Sequence, residues 1–176
     1  MSTQFHLLRE RRFLPFFVTQ FLGAFNDNLF KNALVVVLTF QATRWTTIRP
    51  ELLANLAAGL FILPYFLFSA SAGQLADKYD KARLTRLVKL LEMLIMGVAL
   101  AGFLLHTLMV LFVALFLLGC HSTLFGPVKY ALLPQHLRED ELVGGNALVE
   151  AGTFVAILLG TLAGGLLAGM DSAERW

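Results

Sequence analysis

Apolar residues in this chain come in long runs, and most polar ones are gathered into the short intervals between them. Five runs, at about 13–40, 52–76, 84–105, 108–128 and 142–170, each exceed 20 residues. At 1.5 Å per residue, an α-helix of about 20 apolar residues crosses the roughly 30 Å hydrocarbon layer of a bilayer. The pattern therefore predicts an all-α integral membrane protein with five transmembrane helices. Residues 1–12 are a cytoplasmic tail and 13–176 form one helical unit.

Composition agrees. The 176 residues are 57% hydrophobic and 15% charged, with mean hydropathy +0.71, against roughly 45–50% and 25% in soluble domains. No soluble domain is left over. Arg9, Arg11 and Arg12 ahead of the first run superficially resemble a secretory signal. That run is longer than the about 7–15 residues of a signal core, carries charges and is followed by further spans, so it reads as a retained helix. The single Cys120 lies within the fourth run. The sequence has no cysteine/histidine metal spacing, no glycine-rich phosphate loop and no catalytic motif, so the expectation is a non-enzyme without cofactor or metal.

Charge sets the orientation. Arg9, Arg11 and Arg12, then Lys78, Lys81, Arg83, Arg86 and Lys89, then Lys129 and Arg138 fall on one side. Only Arg44, Arg49 and Arg175 fall on the other. By the positive-inside rule the N-terminus is cytoplasmic. The net charge of +2 expresses this bias and is no argument for nucleic acid. The chain ends in DSAERW after an odd number of helices, which leads us to expect the N-terminal part of a longer protein.

The first run is interrupted by FNDNLFKN at residues 25–32. At about 100° per residue, Gln20, Asp27 and Lys31 fall within a sector of roughly 40°. Asp27 and Lys31 are i, i+4 partners and are expected to pair. A charge near the bilayer midplane is costly and usually faces a bundle interior or a water-filled path. The stripe is therefore a candidate for a substrate or ion pathway, beside the plainer reading of an ion pair that assists assembly. Asn26 points away from the stripe, while Asn28 and Asn32 read as packing contacts.

Glu92 and Glu150 each lie eight residues into a span, about 12 Å from the cytoplasmic side and at matching depth. Glu92 either snorkels or pairs with Lys89. Glu150 needs a partner from elsewhere, and Lys129 is the candidate. Gly126-Pro127 leaves two readings of Lys129. Either the helix ends and the lysine snorkels, or it continues and the lysine lines a cavity. His121 is a proton-responsive group or a packing residue. Pro64 suggests a bend in the second span. Gly160 with Gly164, and Gly165 with Gly169, are small-xxx-small pairs that signal close helix approach.

Between the second and third runs lies GQLADKYDKARL, residues 73–84. Gly73 permits close backbone approach, and Asp77 is placed to accept hydrogen bonds from the start of a neighbouring helix. The segment resembles the signature loop of the major facilitator superfamily, G-x-L-x-D-[RK]-x-G-[RK], through Gly73, Leu75, Asp77, Lys78 and Lys81. It departs at Asp80, where that pattern has glycine. Together with FLGAFNDNLFKNAL, TLFGPVKYALLPQHL and ELVGGNALVEAGTF, it resembles the lysophospholipid transporter branch along essentially the whole chain.

The resemblance implies a twelve-helix transporter of two six-helix halves, with this chain supplying five helices of the first. It implies residence in a bacterial inner membrane and movement of lysophospholipid, chiefly lysophosphatidylethanolamine, to the cytoplasmic leaflet. The implied partners are membrane lipids, the second half of the transporter and, in some relatives, a fused acyltransferase. Asp27 and Lys129 would then stand in the transport path with Gln20, Lys31, Glu92 and Glu150, and Gly73, Asp77, Lys78 and Lys81 would form a cytoplasmic gate. The fourth run carries no arginine, unlike many proton-coupled members. Other readings are a facilitator for another small solute, the membrane part of an enzyme such as an acyltransferase fusion, and a five-helix assembly factor.

Overall fold

The computed structural model describes residues 4–41 and 46–173. Arg44 and Arg175, two of the three basic residues expected on the outer side, lie outside the described residues. A 3-10 turn at Gln4–Arg9 leads into α1 (Leu14–Phe40), α2 (Pro50–Lys78), α3 (Lys81–Leu104) and α4 (Leu108–His136). A second 3-10 turn, Glu139–Glu141, leads into α5 (Leu142–Ala173). No strand occurs among the described residues.

Local chemistry sets the helix starts. Proline occupies the first turn of both α1 and α2, where its missing N–H costs nothing. Asp80 caps α3, its side chain accepting from the backbone N–H of Arg83 at 2.8 Å. The capping role expected of Asp77 thus belongs to Asp80, the residue that departs from the signature loop. Aspartate and glycine are both favoured at a helix N-cap, so the departure suits a residue that starts a helix. Gly73 has open space where a Cβ would stand, so no described residue makes the close approach expected there.

Among the described residues, four helices are long and apolar enough to cross a membrane: Pro50–Lys78, Lys81–Leu104, Leu108–His136 and Glu139–Met170. The 27 residues of α1 also suffice in length, at about 40 Å. Its polar residues between Gln20 and Asn32 lower its hydropathy. α4 continues through Pro127 and Pro134 to His136, eight residues beyond the expected end. This decides between the two readings of Gly126-Pro127: the helix does not stop. Backbone groups freed by proline are tolerated in a bundle where neighbouring helices and hydroxyls satisfy them.

α1 packs chiefly on α5, α4 on α2, and α3 on α4. Exchanging α1 with α4 and α2 with α5 maps the first contact onto the second, the relation produced by inverted three-helix repeats. Both contacts close at glycine. A Cβ on Gly160 or Gly164 would overlap the carbonyls of Phe25 and Leu29 in α1, and one on Gly119 of α4 would overlap the carbonyl of Phe61 in α2. Gly165 has open space where a Cβ would stand, so the contact with α1 is marked by the first small-xxx-small pair.

Two apolar cores lie toward opposite ends of the bundle. One joins Phe30, Leu34 and Leu38 of α1 to the first half of α2, the second half of α3 and the first half of α4. The other joins Leu7, Phe13 and Phe16 to Leu132 and Leu133 of α4, to Leu137 just beyond its end, and to Leu148 and Val149 of α5. Between them lies a polar layer. Outside, large apolar side chains such as Phe66, Leu94, Phe154 and Leu166 are exposed. The accessible surface of 10535 Å² exceeds the roughly 8,500 Å² of a compact soluble monomer of this mass, and the excess suits a bundle flanked by lipid or further helices.

Candidate functional site

The polar layer encloses a cavity of about 320 Å³, to which every helix contributes. α1 supplies Gln20, Asp27, Asn28 and Lys31, α2 supplies Phe61 and Tyr65, and α3 supplies Lys89. α4 adds His121, Ser122, Phe125 and Lys129, and α5 adds Thr153 and Ile157.

Asp27 is the middle residue of α1 (Leu14–Phe40) and Ser122 the middle residue of α4 (Leu108–His136). They meet: Ser122 Oγ donates to Asp27 Oδ2 at 2.5 Å. Asp27 Oδ1 is buried and accepts no hydrogen bond within the described residues. A buried carboxylate oxygen in that condition is strongly disposed to take a donor.

The expected ion pair of Asp27 with Lys31 does not form. Lys31 Nζ instead donates to Asn28 Oδ1 at 3.0 Å and stands 5.1 Å from the ring centroid of Phe61. The i, i+4 spacing brings the two residues to one face, but a hydroxyl from α4 competes for the carboxylate while an amide one turn back takes the ammonium. Gln20 accepts from Thr153 Oγ1 at 2.9 Å and donates to the carbonyl of Val149 at 3.5 Å, tying the lower stripe to α5.

Because α4 continues past Pro127, Lys129 lines the cavity. Its ammonium lies 3.7 Å from Glu150 Oε1, and the hydroxyl of Tyr130 donates to the same oxygen. The side chain of Glu150 is 43% exposed, so it sits at the edge of the polar layer. Glu92 is buried. Its Oε2 accepts from Lys89 Nζ at 2.8 Å, and its Oε1 from Asn26 Nδ2 at 3.1 Å. Nε2 of His121 lies 3.4 Å from Glu92 Oε2. Pairing with Lys89 is therefore the arrangement of Glu92, and snorkelling is not.

The two acids are not at matching positions. Glu92 is the twelfth of 24 residues in α3, which begins at Lys81 rather than at 84, whereas Glu150 is the ninth of 32 in α5. Asn26 and Asn32 do join helices, the latter donating to Thr161 Oγ1 at 3.1 Å. Asn28 faces the cavity as well as donating to the carbonyl of Ala24.

Gly73, Asp77, Lys78 and Lys81 stand together at the α2–α3 turn and contribute nothing to the cavity wall. Lys81 Nζ donates to the backbone carbonyl of Asp77 at 3.2 Å, and the Lys78 ammonium lies 5.6 Å from the centroid of the Tyr79 ring. Toward the same end, Arg12 donates to Glu141 Oε1 at 2.7 Å and to the carbonyl of His136 at 3.2 Å. The first of these hydrogen bonds holds the guanidinium proton of Arg12 above its usual affinity.

Sequence reasoning missed Ser122, Tyr65, Thr153 and the cavity-facing position of Lys89. The run His121-Ser122-Thr123 inside an apolar helix was the available signal. Among the described residues, no three histidine, cysteine or acidic side chains are grouped to hold a metal. The cavity combines one carboxylate, three lysines and aromatic faces, a set that can receive an ammonium and an anion together.

Residues 16–174 match the Major Facilitator Superfamily. Among curated proteins, the chain is 36% identical over 151 residues to the lysophospholipid transporter LplT of Escherichia fergusonii, covering 86% of the chain and 35% of that protein. It is 34% identical over 151 residues to LplT of Escherichia coli, with the same shares. It is 36% identical over 156 residues to LplT of Salmonella enteritidis, covering 88% of the chain and 36% of the relative. The chain thus spans about a third of the length of the curated relatives it matches. No solved structure matches.

Proposed function

Because the chain belongs to the major facilitator superfamily, within the branch of the lysophospholipid transporters, we propose that it forms the first five helices of a transporter that moves lysophospholipid across a bacterial inner membrane by alternating access. The observation that carries this reading is Asp27, held at the centre of the bundle by Ser122 with one carboxylate oxygen that accepts no hydrogen bond within the described residues, in the wall of a cavity that also presents lysines.

A lysophosphatidylethanolamine head group carries an ammonium and a phosphate. In this reading the ammonium meets Asp27 at mid-depth, beside the rings of Tyr65 and Phe61, and the phosphate meets Lys129 nearer the cytoplasmic end. The single acyl chain stays against apolar helix faces and lipid. Transporter sites of this kind sit near the midplane, between helices that change partners as the protein alternates its access. α1 spans the membrane with its N-terminus in the cytoplasm, and Asp77, Lys78 and Lys81 act as a gate at the cytoplasmic ends of α2 and α3.

Asp27→Asn keeps the size and the hydrogen-bonding capacity of the side chain and removes its charge. In the complete protein it is expected to abolish lysophospholipid import by spheroplasts while membrane expression stays intact. Import at the wild-type rate by this variant would sink the midplane site.

A further inference from the structure

Lys89 rises from the first half of α3 and reaches the central cavity past Gly23 of α1, where a Cβ would overlap its ammonium. Its Nζ donates to Glu92 Oε2 at 2.8 Å and stands 4.0 Å from the ring centroid of Phe125. An ammonium has three N–H donors, so this pairing leaves donor capacity directed at the cavity.

The charge around the cavity is distributed unevenly. Lys31, Lys89 and Lys129 all line the wall, whereas among the described residues Asp27 is the only carboxylate that does. Glu92 and Glu150 balance two of the lysines from behind the wall. A second feature points the same way. His121 is 1% exposed and lines the cavity; its Nε2 lies 3.4 Å from Glu92 Oε2, and its Nδ1 has no hydrogen-bond partner within the described residues. A buried ring nitrogen in that condition calls for a polar ligand.

We propose that Lys89 and His121 form an anion subsite of the cavity, which takes a phosphate oxygen of an amphiphilic phosphate ester. Glu92 and Asn26 hold Lys89 in place from the far side, in the arrangement Asn26 Nδ2 to Glu92 Oε1 at 3.1 Å and Lys89 Nζ to Glu92 Oε2. Lys89 is then a basic contact for the head group in addition to Lys129. This assignment rests on the lysophospholipid reading for the identity of the ester, but not for the presence of the subsite.

The test is equilibrium binding to the complete purified protein with three probes: lysophosphatidylethanolamine, hexadecyl phosphate and inorganic phosphate. Lys89→Gln is expected to weaken binding of the two amphiphiles by about tenfold or more, the worth of one charge-assisted hydrogen bond. Lys89→Arg retains most of the affinity.

The decisive variant combines Lys89→Gln with Glu92→Gln and so removes the ion pair as a neutral unit. Binding stays weak if Lys89 holds the phosphate. A return to wild-type affinity in the double variant, or unchanged hexadecyl phosphate binding by Lys89→Gln, overturns the proposal. Inorganic phosphate that binds as tightly as hexadecyl phosphate overturns the choice of an amphiphilic ligand. Hexadecyl phosphate binding that depends on Lys89, in a protein that does not transport lysophosphatidylethanolamine, upholds the subsite and removes the proposed function instead.

Discussion

Ser122 and Thr123 are adjacent hydroxyl residues with opposite behaviour. Thr123 donates to the carbonyl of Gly119 one turn back at 2.7 Å, the usual local arrangement for such a side chain in a helix. Ser122 reaches across to Asp27. Removing its hydroxyl strips a buried carboxylate of its donor, at a cost of roughly 1–3 kcal/mol. Ser122→Ala is accordingly expected to lower both the thermal midpoint and the rate of lysophospholipid uptake, and Ser122→Thr to recover part of each. Melting of the detergent-solubilised protein and uptake by spheroplasts measure the two effects. Asp27 was legible in the sequence because a charge amid apolar residues has few harmless explanations. Ser122 was not, because a hydroxyl can satisfy itself locally and its choice of a distant partner leaves no periodic trace. The same limit applies to Lys31: spacing gave its face, and the competing donor and acceptor decided its partner.

Among the helices, the α1–α5 contact depends on Gly160 and Gly164 lying against the carbonyls of Phe25 and Leu29. Backbone cannot yield to a side chain as a flexible neighbour can, so Gly160→Val or Gly164→Val forces the helices apart, at about 1–3 kcal/mol each. Gly165→Ala meets open space and is expected to shift the melting midpoint little. The comparison is read from thermal unfolding of the three variants. Sequence spacing found both glycine pairs without ranking them, since identical i, i+4 patterns on two sides of a helix differ only in what the fold brings to each. Element ends were similarly half legible. The proline at residue 127 gave a place where α4 had a reason to stop, and the surrounding bundle supplied the packing that lets it continue. Asp80 reads as a broken motif in sequence and as a working cap in the structure.

For the molecule as a whole, the all-α membrane class was legible from run length and composition alone, because the bilayer fixes the length of whatever crosses it. The pairing of α1 with α5 was not, since it joins segments that share no local pattern. Orientation has its own test. In a Cys120→Ala background, Lys81→Cys at the α2–α3 turn is expected to resist a membrane-impermeant maleimide applied to spheroplasts, and Thr107→Cys at the α3–α4 turn to react. The reverse labelling would invert the proposed topology.

The contact between α1 and α5 also has a consequence for synthesis. Asn32 and its partner Thr161 are separated by 129 residues, which at roughly 5–20 residues per second is a delay of about 6 to 26 s between the two leaving the ribosome. For that interval α1 exists without the neighbour that takes the side chain of its Asn32. The nascent chain therefore has to hold α1 at the insertion machinery, or against α2 and α4, until α5 arrives.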